Sequence, residues 1–307
     1  MASGFDTVTF LSDYGTDDES VGVVKSVIRD LAPHATVIDL THGIAAHDVR
    51  SGGLTLARSI QYVASGVILA AVDPGVGTDR RAIAVEIANG AGVLVGPDNG
   101  LLAGAVAMAG GPGMVVELSD TDYHLPSPGV TFSGRDIFAP VAAHLCNGVA
   151  LTAFGPTVDA LSLTPATLPI ARSEGGGLVV EVLWVDRYGN LQLNAGSEDI
   201  DEWGESVRLR LAGEVRTVRR AGTYGSIPPG RIGLVVDSYG LLSICVDRQS
   251  AAEELGLDVG DALILEALDS SGTAGDADSP NDATSPNNAT TAAVPVSLRT
   301  SSRSEPS

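Results

Sequence analysis

Over the first 120 positions, apolar residues fall into short unbroken runs separated by periodic stretches. The runs at 7–11, 36–40, 66–72, 82–87, 92–95 and 114–118 are dominated by Val, Ile, Leu and Ala. Runs of that length and composition read as strands, several buried on both faces. Between them, 21–31, 48–63 and 101–109 carry apolar residues at helical spacing. A further helix is expected over 137–145. Alternation of strand and helix predicts an α/β fold with a mostly parallel sheet.

The pattern changes after a Pro-containing connection at 155–167. Short strands follow at 177–186, 191–194, 207–211, 214–218, 233–236 and 241–246, as in a small β-barrel or sandwich. The expected organisation is an α/β domain over 1–160, a linker over 161–175 and a smaller all-β domain over 176–268. Beyond that, 269–307 is Ser, Thr, Ala, Asp, Asn and Pro with little apolar content. Such a segment buries too little to offset chain entropy, so a disordered tail is expected there.

Composition narrows the partners. The formal charge is −20, which disfavours nucleic acid and anionic membranes as partners. Cys146 and Cys245 lie far apart in apolar contexts, as buried thiols in a reducing compartment would. The first residues lack the pattern of a secretion signal, and no apolar run is long enough to span a bilayer. A cytoplasmic location is the expectation.

Candidate chemistry sits where strands stop. The third run ends in Asp73-Pro74-Gly75-Val76-Gly77, and Arg80 follows seven residues after the acid. Asp13, Asp98 and Asn99 end other strands in the same manner. In open α/β sheets the C-terminal strand edge is where ligands bind. Carboxylates there suit either a divalent cation for phosphoester hydrolysis or a ribose and a cationic group without metal. A tight turn with helix-capping acids accounts for the same residues structurally. The five histidines show no metal-ligand spacing, and among them His42 and His47 follow the second strand closely enough to reach this edge.

Several motifs occur in a fixed order: Phe10-Leu11-Ser12-Asp13-Tyr14-Gly15-Thr16 with Asp18 and Ser20, Asp73-Pro74-Gly75-Val76-Gly77-Thr78 with Arg80, and Gly96-Pro97-Asp98-Asn99-Gly100-Leu101. Thr131-Phe132-Ser133-Gly134-Arg135-Asp136, Tyr188-Gly189-Asn190 and Ser238-Tyr239-Gly240 complete them. Together they resemble the S-adenosyl-L-methionine (SAM) hydroxide adenosyltransferases, relatives of the SAM-dependent fluorinase and chlorinase. The resemblance spans about residues 8–265.

The resemblance implies an N-terminal α/β domain, a C-terminal β-barrel and a homotrimer with sites between subunits. It implies displacement at ribose C5′ of SAM, giving adenosine and methionine when the nucleophile comes from water. SAM is then the substrate, and neither metal nor cofactor is implied. By motif, Asp73 and Arg80 would flank the attacking water, and Asp13 would take the ribose hydroxyls. Asp18, Ser20 and Ser238 would hold the methionine end. Tyr188 would stack near adenine and Asn190 would bond its edge, while His47 would lie beside the ribose.

Two positions discriminate within the family. The halogenases carry Tyr where this chain has Asp73, and a carboxylate there would repel halide. Hydrolases usually carry His where this chain has Ser133. A Ser hydroxyl orients water but is no base near neutral pH. Arg135 and Asp136 read as an internal ion pair.

Overall fold

The computed structural model describes residues 4–63, 65–166 and 168–268. The residues expected to form a tail, 269–307, lie outside the described residues.

The first half is a six-stranded sheet with helices on both faces. In chain order it contains β1 (Thr7–Ser12), α1 (Ser20–Leu31), β2 (Thr36–Thr41), α2 (Val49–Ser59), β3 (Gly66–Ala71) and β4 (Ala82–Ile87). Then come β5 (Gly92–Pro97), α3 (Ala103–Met108), β6 (Val115–Glu117) and α4 (Ala139–Cys146). The strand order is β2-β1-β3-β5-β4-β6. β2, β1, β3 and β5 run parallel, and β4 runs against both its neighbours. The sheet is therefore mostly parallel, as the alternation predicts. The exception has a local cause: only residues 88–91 separate β4 from β5, too few for a crossover.

The central strands show why unbroken apolar runs mark them. In β3, Val67, Leu69 and Ala71 join one core with Val24, Ile28, Phe138 and Val141. Ile68, Ala70 and the following Val72 join the other, with Leu56, Leu101 and Leu102. Successive side chains point to opposite faces, so a strand covered on both sides has no polar position.

α2 ends at Ser59 rather than running on to Val63 as its spacing predicts. Tyr62 and Val63 instead bond back to the Ser59 carbonyl in a turn. The last helix begins differently from expectation too. A π-helical turn, Gly134–Phe138, runs directly into α4, and Pro140 sits in the first turn of α4 where a missing N–H costs nothing.

The second half is a closed β-barrel. Its strands are β7 (Arg172–Glu174), β8 (Gly177–Val185), β9 (Leu191–Gly196), β10 (Ser206–Leu211), β11 (Glu214–Arg220), β12 (Ile232–Val236), β13 (Leu241–Val246) and β14 (Ala262–Ala267). The ladder runs β14-β10-β11-β12-β13-β9-β8, and β14 pairs with β8 to complete a ring of seven. β7 extends the edge of β8 outside that ring. Alternate residues fill the interior, among them Val180, Val182, Leu191, Leu193, Leu209, Ile244, Leu263 and Leu265. A one-turn helix, α5 (Ala251–Leu255), precedes the last strand. The two halves are tied by Arg50 to Glu181 at 2.6 Å and by Arg58 Nη1 donating to Gln192 Oε1 at 2.9 Å.

Candidate active site

Two adjacent strand ends create the site. Ser12 of β1 pairs in register with Ala71 of β3, so Asp13 and Asp73 leave the sheet side by side. The Asp13 N–H still reaches the Ala71 carbonyl, at 3.4 Å. Asn99 arrives from the next strand and donates through Nδ2 to the Val72 carbonyl at 3.0 Å, fixing the backbone just before Asp73.

The loop after Asp73 folds back on itself. Val76 N–H donates to the Asp73 carbonyl, Thr78 closes on Gly75 through backbone and side chain, and Gly77 takes φ +79°. A positive φ of that size suits glycine. These turns return Arg80 to the carboxylate seven residues earlier. Its Nε donates to Asp73 Oδ1 at 2.9 Å, and its Nη2 donates to Asp73 Oδ2. The Arg80 and Asp73 side chains are 12% and 8% exposed. Burial pushes the Asp73 carboxyl above its ordinary value; Arg80 opposes that shift and does not cancel it.

Asp13 is held from the other side. Its Oδ2 accepts the His47 backbone N–H at 2.8 Å, and His47 takes φ +69°. Behind it the Ser12 hydroxyl meets His42 Nδ1 at 2.8 Å, and the Gly15 N–H donates to the His42 carbonyl at 2.8 Å. The Tyr14 ring packs edge-on against Phe132. Burial raises the Tyr14 hydroxyl pKa, with the Asp13 and Asp73 charges adding to it, so the phenol stays neutral. That hydroxyl lies where a Cβ on Gly134 would be, 2.2 Å from it. Glycine at 134 is thus what lets the π-helical turn approach Tyr14.

One cavity of about 420 Å³ gathers Asp13, Ser20, His47, Asp73 and Ser133. Ser133 is 9% exposed and sits at the start of the π-helical turn. Asp18 is not in this wall: its Oδ1 accepts the Ser20 N–H at 2.8 Å, and this bond holds its carboxyl below the ordinary value. It precedes the N-cap residue Glu19 and ties down the first N–H of α1. Asp98 is drawn away as well, to Arg81 at 2.9 Å and to the Thr164 N–H at 2.8 Å. Arg135 and Asp136 form the expected ion pair, with Nε to Oδ1 at 2.5 Å.

The barrel residues stand apart from this group. Asn190 and Ser238 line a different cavity, of about 500 Å³, between β2, α2 and the barrel. Tyr188 is 77% exposed. Their turns share a device not apparent before: Asp-x-Tyr-Gly occurs at 186–189 and again at 237–240. In each, one Asp oxygen accepts the N–H groups two and four residues on, at 2.8 and 2.9 Å for Asp186 and 2.8 and 3.1 Å for Asp237. Asp186 also accepts from Asn190 Nδ2 at 2.7 Å, fixing that amide. The recurrence of the tetrapeptide was the signal that points to Asp186 and Asp237.

Among the described residues, no group of three or more His, Cys, Asp or Glu is placed to hold a metal ion, and no helix is long and apolar enough to cross a membrane. Fold and cavity together define a two-domain protein, α/β followed by β-barrel, with a carboxylate-lined pocket of nucleoside size at its strand ends.

Comparison with known proteins narrows this class. Residues 8–155 match the family model for the SAM hydroxide adenosyltransferase N-terminal domain, and 180–264 match that for its C-terminal domain. The chain belongs to the SAM hydroxide adenosyltransferase family. It is 42% identical over 260 residues to a protein of Salinispora tropica named (R)-S-adenosyl-L-methionine hydrolase, covering 85% of this chain and 97% of the relative. A fluorinase of an Actinoplanes species is more distant, at 26% identity over 68% of this chain and 78% of the relative. Among solved structures, an uncharacterized conserved protein from Thermotoga maritima superposes with TM-score 0.78 at 32% identity, covering 84% of this chain and 99% of that one.

Proposed function

We propose that the protein hydrolyses S-adenosyl-L-methionine at ribose C5′, giving adenosine and L-methionine. The observation that carries this is the buried Asp73 carboxylate, gripped at both oxygens by Arg80 and facing the same cavity as Asp13. A sulfonium leaves as a neutral thioether, so the site needs no general acid. It needs a desolvated, aligned nucleophile on the far side of C5′. In this reading Asp13 holds the ribose, Asp73 orients the water and takes its proton, and Arg80 keeps the carboxylate in place. The pKa of Asp73, raised by burial, makes it a better base than an exposed carboxylate. Ser133 orients the water without acting as a base.

The same carboxylate disfavours halide, by on the order of several kcal/mol in a partly dry site. Ser20 and His47 would contact the substrate from the α/β domain. Tyr188, Asn190 and Ser238 would do so from the barrel of a second copy in a homotrimer, which accounts for their distance from the first cavity. Asp18 then acts on the methionine ammonium only through the start of α1. SAM is the substrate and no cofactor takes part. We place the reaction in the cytoplasm, which the two buried free thiols suit.

Product analysis after incubation with each sulfonium epimer, with and without chloride, tests this. Adenosine in both salts is the expected result. A 5′-chloro nucleoside, or ligand-induced thermal stabilisation with no product, would overturn it. Asp73→Asn should lower the rate roughly 10²- to 10⁴-fold with SAM binding retained.

A further inference from the structure

The wall that carries Asp73 and Ser133 has a second side. Behind it lies a separate cleft of about 740 Å³, lined among others by Arg80, Leu125, Val130, Ser133 and Asp136. Ser133 lines both this cleft and the 420 Å³ cavity. Its hydroxyl makes no capping bond to the turn it begins. Arg80 spans the same wall, with its guanidinium on Asp73 and its side chain also facing the cleft. Two of its lining residues are joined by the Leu125 N–H donating to the Asp136 carbonyl at 2.9 Å.

Displacement at C5′ makes a demand that this wall answers. The nucleophile must attack opposite the departing sulfur, on the Asp73 side. A nucleoside held in the cavity by Asp13 fills the space in front and blocks that route to solvent. Fresh water, and the proton it sheds, then have to pass behind the substrate.

We propose that the 740 Å³ cleft is the port through which the nucleophile reaches Asp73, and that Ser133 sets the size of the molecule admitted. The proposal rests on the hydrolytic reading of the cavity. Charge around the port defines the class of molecule. Arg80 is engaged by Asp73, Arg81 by Asp98 and Asp136 by Arg135, while Asp79 and Glu117 add negative charge to the lining. Anions are repelled, and neutral protic molecules enter. A small alcohol therefore competes with water. In that step the alcohol oxygen bonds to C5′, the C5′–S bond breaks, and its electron pair stays on the sulfur of methionine. The alcohol proton passes to Asp73 and then to water in the port, leaving a 5′-O-alkyl adenosine.

The test uses the full chain in a fixed methanol–water mixture, with adenosine and 5′-O-methyladenosine separated by chromatography. Leu125→Trp and Val130→Trp fill the port without touching the substrate cavity. Val130 is 72% exposed, so its replacement does not threaten folding. Both variants should lose roughly tenfold or more in kcat, a misalignment-sized effect, with KM for SAM unchanged. The methyl ether fraction should fall as well. Ser133→Gly should raise that fraction. Unchanged kcat and product ratio in Val130→Trp would overturn the port, even if Leu125→Trp failed to fold. Absence of adenosine from the unsubstituted protein in plain water would instead sink the reaction itself.

Discussion

The proposed reaction places its chemistry on one side chain, Asp73, and the environment of that group then sets a pH limit. Burial raises its pKa and Arg80 lowers it, with burial the larger influence. The active form is the carboxylate, so the rate should fall as pH drops through the folded-state pKa. The acid limb of a kcat profile therefore lies above the ordinary value of 3.8. Arg80→Gln removes the opposing influence, so that limb should move to higher pH while the neutral rate drops about a hundredfold or more. A limb unmoved by the substitution would dissociate Arg80 from the carboxylate. Gly134→Ala would place a methyl 2.2 Å from the Tyr14 hydroxyl, and overpacking of this kind costs roughly 1–3 kcal/mol, readable in a denaturant titration. That Asp13 and Asp73 would converge and that Arg80 would return to Asp73 was legible in the sequence, because strand-end acids and a Gly-rich return loop are local signals. Placement of Asp18 outside the cavity, with its carboxylate on the Ser20 N–H, and of Asp98 on Arg81 and the Thr164 N–H depends on register and on the 162–164 segment, which local sequence does not show.

At the level of elements, the end of β1 depends on the end of β2. Ser12, fully buried, meets His42 Nδ1, and His42 Nε2 lies 3.2 Å from Asp39 Oδ1, itself 2.9 Å from Lys25. This chain ties the loop bearing Asp13 and Tyr14 to the neighbouring strand and to α1. His42→Ala removes one of the two partners of the buried Ser12 hydroxyl and leaves only the Tyr14 N–H at 3.3 Å, at a cost of about 1–3 kcal/mol. KM for SAM should rise with it more than kcat falls, which steady-state kinetics would check. The long strands and helices were legible because buried runs and helical spacing are periodic. β7 was not, since its three residues are all exposed, and α5 was not, since one turn is too short to show a period. β14 was not among the expected strands either, although its Leu263 and Leu265 alternate into the barrel core. The π-helical turn escaped because an inserted residue breaks the spacing on which helix recognition rests.

On the scale of the whole molecule, the candidate residues split between two cavities, and the proposed trimer accounts for the split. Asp73→Asn disables the α/β side of a site and Asn190→Ala the barrel side. Each variant alone should be poorly active. Subunits of the two mixed after dissociation should regain a fraction of the unsubstituted rate, because some sites combine two intact halves. No recovery on mixing would confine each site to a single chain. The domain order was legible in the change of periodicity, whereas barrel closure was not, because pairing of β14 with β8 joins segments about 80 residues apart. That closure has a consequence for biosynthesis. On the ribosome, β8 and β10 emerge with bare edges facing each other, and both wait for the same partner, synthesised after everything else in the ring. During that interval the nascent barrel is a sheet with two open sides, the form of β structure most prone to join a neighbour. Folding yield should therefore fall with crowding of unfinished chains, and recover when translation is slowed or a holdase covers those edges.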